Sequence, residues 1–92
     1  RGKVRRYCAE NRLNRLGTLT YAGQGCFEPA ALRVDLAGFF RRLRATVGKP
    51  FAYLWAPAWP PKGHGLHAHF AVGRFIGVGA IRAAWGRGHG RT

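Results

Sequence analysis

Between Ala30 and Val47 the apolar residues Leu32, Leu36, Phe39, Phe40, Leu43 and Val47 recur at spacings of three and four. That spacing predicts one amphipathic helix whose apolar stripe has to be covered, with Arg33, Arg41, Arg42 and Arg44 on the remaining circumference. Pro29 suits its first turn, Glu28 stands favourably beside the N-terminal dipole, and Gly48-Lys49-Pro50 ends it. The other apolar segments are short and punctuated by Gly and Pro, so they read as strands. Leu16 to Tyr21 alternates, with Leu16, Thr18 and Thr20 on one side and Leu19 and Tyr21 on the other. Phe51 to Ala56 and Leu66 to Val72 are the second and third strands, joined by a connection rich in Pro and Gly from Pro57 to Gly65. Gly79 to Trp85 starts a second helix. The order strand, helix, strand, strand, helix predicts an α+β unit with an antiparallel hairpin in its sheet, stopping where a further strand is expected. We expect residues 1–14 to be a basic arm, 15–86 the folded domain and 87–92 a flexible basic tail.

Ninety-two residues hold one modest core. The periodic apolar blocks exclude an intrinsically disordered chain, and no run approaches the roughly 18–20 uncharged apolar residues of a membrane span. There is no Met, which reads as a fragment of a longer chain. Cys8 and Cys26 make no CxxC pair and are expected as free thiols of a reducing cytosol. Thirteen Arg and three Lys face only Glu10, Glu28 and Asp35, a formal net charge of +13. Such an imbalance repels itself in a compact state and is relieved by an anionic partner. The guanidinium fork suits phosphate and base edges, so nucleic acid is the expected partner.

The chemistry concentrates in Lys62-Gly63-His64-Gly65-Leu66-His67-Ala68-His69-Phe70. Alternate strand residues share a face, so His67 and His69 project together while Leu66, Ala68 and Phe70 point into the packing layer. Two imidazoles on a rigid strand form a preorganised pair of nitrogen ligands for a divalent metal. His64, three residues earlier, is a further candidate ligand if the hairpin folds it back, but reads more readily as an exposed loop histidine. Lys62, Arg41, Arg44 and Arg74 are candidate phosphate contacts. Trp59, set among prolines, is the aromatic most expected to stand exposed for stacking on unpaired bases, whereas Trp55 and Phe51 read more readily as core.

Thr18-Leu19-Thr20 on the first strand, a helix, an aromatic strand, a Pro/Gly hairpin and His67-Ala68-His69 on the third strand together resemble the HUH endonucleases. The similarity is closest to rolling-circle replication initiators and runs from Leu16 to Trp85. It implies a ferredoxin-like fold, here a C-terminally truncated β-α-β-β-α unit whose central antiparallel strand presents the histidines above a floor of Thr18 and Thr20. It further implies single-stranded or origin DNA as partner and Mg²⁺ or Mn²⁺ on the histidine pair plus a third ligand. In that family a downstream tyrosine attacks the scissile phosphate and leaves a covalent 5′-phosphotyrosine. Two departures stand out. The third ligand, commonly Glu, is expected at or near Ala58, where the chain reads Trp55-Ala56-Pro57-Ala58-Trp59-Pro60, and no tyrosine follows His69. Tyr21 and Tyr53 read as packing residues, which leaves Tyr7 on the arm as the candidate with freedom to reach the site. The alternative reading is a non-catalytic basic module that binds RNA or DNA through charge and shape.

Overall fold

The computed structural model describes residues 2–10, 12–23, 25–59 and 65–91. Three helices and four strands follow in the order α1 (Gly2–Glu10), β1 (Arg15–Tyr21), α2 (Pro29–Val47), β2 (Tyr53–Ala58), β3 (His67–Val72), α3 (Val78–Trp85) and β4 (Gly88–Arg91). The strands form one antiparallel sheet in the order β2-β3-β1-β4, so β3 and β1 are central and β2 and β4 are edges. After α1, the β-α-β-β-α-β order with this pairing is the ferredoxin-like arrangement, an α+β unit with both long connections carried by helices.

The expected helical stripe is the core. Leu32, Leu36, Phe39, Phe40 and Leu43 are all buried, and Pro29 stands at the start of α2 as its missing N–H allows. Gly48 ends the helix in the left-handed conformation, its N–H bonded to the Arg44 carbonyl. Phe39 meets Phe40, Phe70 and Trp85 at ring separations of 4.8, 5.7 and 6.0 Å, and Phe40 stacks on Tyr53 at 3.9 Å. These rings join α2 and α3 to the inner face of β1, β2 and β3. Each fully buried large side chain contributes about 1.5–3 kcal/mol by leaving water. On the opposite sheet face Leu16, Ala56 and His69 stand exposed.

One expectation is made specific and one is corrected. The N-terminal arm is helical over Gly2–Glu10, and the Tyr7 hydroxyl donates to the Tyr53 carbonyl at 3.1 Å. The tail is not free: Gly88–Arg91 is the fourth strand, with Thr18 opposite Arg91 and Thr20 opposite His89. The reason lies in its alternation. Gly90 turns toward the helices, where a Cβ would lie 3.1 Å from Ile81 and 3.2 Å from Leu19, while His89 and Arg91 take the other face. At Gly88 a Cβ would collide with the backbone of Thr20, Tyr21 and Ala22, so only glycine lets the strands approach this closely. Composition reads as a mobile tail; position makes it a strand.

Side chains fasten this strand. Arg87 pairs with Asp35 at 3.2 Å, Arg82 donates to the Gly90 carbonyl at 3.2 Å, and Trp85 Nε1 donates to the Thr20 carbonyl at 2.8 Å. Tyr21 donates to the same Asp35 carboxylate at 2.6 Å and packs edge-on against Trp85. Burial, and then the neighbouring Asp35 carboxylate, raise the Tyr21 phenol above its ordinary value of 10.0. Above that pH the unfolded chain releases a proton that the folded chain retains, so stability falls as pH rises. Tyr21→Phe is expected to flatten the alkaline limb of a denaturation profile; a limb of unchanged slope would show that other groups set it.

Candidate nucleic-acid interface

Strand alternation places the candidate residues on the uncovered sheet face. His69 is exposed and His67 half-buried, while Ala68 and Phe70 between and beyond them are buried against the helices. Thr18 stands opposite His69 across β1 and β3, and its Oγ1 lies 3.2 Å from His69 Nδ1. That contact engages the imidazole through Nδ1. Thr20 is on the same face, its hydroxyl 3.4 Å from the His89 carbonyl. The face was expected from the sequence, and the Thr18–His69 pair joins the two segments that carry it.

Across the sheet, Ala56, His69, Thr18 and Arg91 form one row, each residue opposite the next on β2, β3, β1 and β4. Beside this row lies a shallow, largely apolar groove of about 740 Å³, lined by Leu16, Leu54, Ala56, Thr18, His69 and Arg91. Leu16 is 67% exposed, an unusual position for leucine at the centre of a sheet. None of the four strands contains Asp or Glu, so the positive charge of this face is unopposed from within the sheet. Asp35, the acid nearest to β1 by its contacts, is engaged by Tyr21 and Arg87 on the helix side.

Arg91 and His89 were not anticipated as site residues, because a glycine-rich terminus carries no strand propensity. The residue-by-residue alternation Gly-His-Gly-Arg was the signal that could have found them. Arg41 and Arg44 stand apart from this face. Both are exposed, but α2 carries them in the layer that covers the opposite face of the sheet from His67 and His69. Arg74 is exposed in the turn after β3. Trp59 is exposed, and Trp55 packs against the core from the helix side, opposite Phe70. Lys62 and His64 lie outside the described residues.

The fit of a hard divalent ion can be judged from the donors. Ala58 is the β2 partner of His67 and Ala56 that of His69, so from β2 the pair faces only methyl groups. Among the described residues no three His, Cys, Asp or Glu stand close enough to hold a metal ion together. Mg²⁺ takes oxygen ligands, and two imidazoles flanked by alanine do not supply them. His89 shares the face but is two strands from β3, roughly 10 Å away at ordinary strand spacing. The tyrosines are likewise engaged: Tyr7 with the Tyr53 carbonyl, Tyr21 with Asp35, and Tyr53 against Phe40.

No described helix is long and apolar enough to cross a membrane. No known family model, curated protein or solved structure matches the chain.

Proposed function

We propose that the chain is a replication-initiator-like DNA-binding domain that holds a single strand across the uncovered face of its sheet. The observation that carries this reading is the row His69, Thr18, Arg91, a line of hydrogen-bond donors beside an apolar groove on a sheet without acids. A phosphodiester accepts hydrogen bonds from such a row, and unstacked bases cover the exposed Leu16 and the half-buried Leu54. A duplex keeps its bases stacked inside and gains only the charge. The resemblance to HUH endonucleases supports the same polarity of use, with the histidine strand at the centre and Thr18 and Thr20 beneath the strand. Among the described residues the donor set does not fit Mg²⁺, so binding, and not metal-assisted nicking, is the activity proposed.

The test is fluorescence anisotropy with a labelled oligonucleotide, single-stranded and as duplex, in EDTA and in Mn²⁺. Tighter binding to the single strand is expected, equal in both solutions and without cleavage. The double variant His67→Ala, His69→Ala is expected to weaken binding by about tenfold, the size of one or two lost hydrogen bonds. Cleavage that requires Mn²⁺ and disappears in the double variant would overturn the non-catalytic reading in favour of a nickase. Equal affinity for duplex and single strand would remove the groove from the account.

A further inference from the structure

We infer that Phe27 and Trp59 together form a stacking platform for one unpaired base, at the His67 end of the sheet. This rests on the single-strand reading above and adds a subsite to it. The two residues are far apart in sequence, yet their rings lie 6.1 Å apart at a tilt of 35°. Both remain largely in water, Phe27 at 55% and Trp59 at 57% exposure. Single exposed aromatics are commonplace, but two in mutual contact, each more than half exposed, form an apolar patch that a partner would cover.

Backbone structure holds each ring in place. Trp59 directly follows Ala58, the cross-strand partner of His67, so its Cα stands roughly 6–7 Å from that of His67. Phe27 follows Cys26, whose carbonyl accepts the Leu66 N–H at 2.6 Å and so ties this loop to the start of β3. Gly65 has a left-handed φ of 88° and packs directly on the Cys26 backbone, where a Cβ would lie 2.7 Å from its oxygen. The platform therefore moves with the histidine strand.

Charge decides the kind of partner. The chain carries sixteen Lys and Arg against three acids, which favours a polyanion over another protein. Glu28, beside Phe27, is at the N-cap of α2, where the helix dipole offsets part of its charge. Stacking on aromatic rings tolerates any base, so the subsite selects for an unpaired base and not for a sequence.

The experiment compares an oligothymidylate with an abasic oligomer of the same length at one salt concentration, by anisotropy. Trp59→Ala is expected to weaken oligothymidylate binding by about tenfold, and Phe27→Ala to act in the same direction. Trp59→Phe should keep most of the affinity. Binding of the abasic oligomer should be unchanged in all three variants, whose folding circular dichroism verifies. Equal loss for both oligomers, or no loss for either, overturns the platform while leaving the single-strand reading intact. Loss of self-association in Trp59→Ala with unchanged oligomer binding makes the pair a protein contact and also overturns it. A parent chain that binds neither oligomer at low salt removes the functional reading itself, and the platform with it.

Discussion

Phe39→Ala is expected to lower the thermal midpoint by about 20 °C. The side chain is wholly buried and touches the rings of Phe40, Phe70 and Trp85, which belong to α2, β3 and α3. Truncating such a residue removes its transfer free energy and leaves a cavity that neighbouring rings fill poorly, at a cost of about 3–5 kcal/mol. For a domain of this length each kcal/mol lowers the midpoint by roughly 4–8 °C. The chain has little reserve, because total stabilities run to only about 5–15 kcal/mol and a net charge of +13 repels itself in the compact state. A strand of DNA present at a hundred times its dissociation constant should return about 2.7 kcal/mol, since it binds the folded form. Differential scanning fluorimetry with and without oligonucleotide reads both effects. A midpoint within about 5 °C of the parent would mean that the core closes without Phe39.

Affinity for a single strand is expected to fall about a hundredfold between 50 and 200 mM salt, if about five phosphates are contacted at a slope of −0.7 each. The location of the strand is tested by which arginine changes that slope. Arg91→Ala should make it shallower by about 0.7, because Arg91 lies in the row with Thr18 and His69. The double variant Arg41→Ala, Arg44→Ala should leave it unchanged. Those two side chains ride on α2, on the far side of a helix about 10 Å across, and the screening length at physiological salt is about 8 Å. Should the α2 double variant flatten the slope and Arg91→Ala leave it, the strand runs over the helices and the proposed face is wrong.

Much of this architecture was legible beforehand, because burial imposes periodicity. The stripe from Leu32 to Val47 gave α2 to within one residue, and the alternation of Leu16, Thr18 and Thr20 against Leu19 assigned both faces of β1. The same alternation set His67 and His69 together on the uncovered side. The N-terminal helix was not assigned because its apolar residues, Val4, Tyr7, Cys8 and Ala9, span little more than one turn among basic side chains. Strand β2 lies two residues later than expected at both ends, at Tyr53–Ala58. Pro57 is tolerated there because β2 is an edge, and whether a strand is an edge is a property of the sheet and not of its own residues.

What the chain determined locally is which residues face which way along each helix and strand, since side-chain direction follows from backbone geometry alone. Which strands became neighbours was decided only by tertiary packing. Gly88 to Arg91 has no propensity to be a strand, and it is one because Gly90 clears Ile81 and Leu19 while Arg82 ties it to α3 and Arg87, just before it, to Asp35 of α2. The same packing put Arg91 beside Thr18, left Arg41 and Arg44 behind the helices, and set Ala58 opposite His67 where a carboxylate would have been needed.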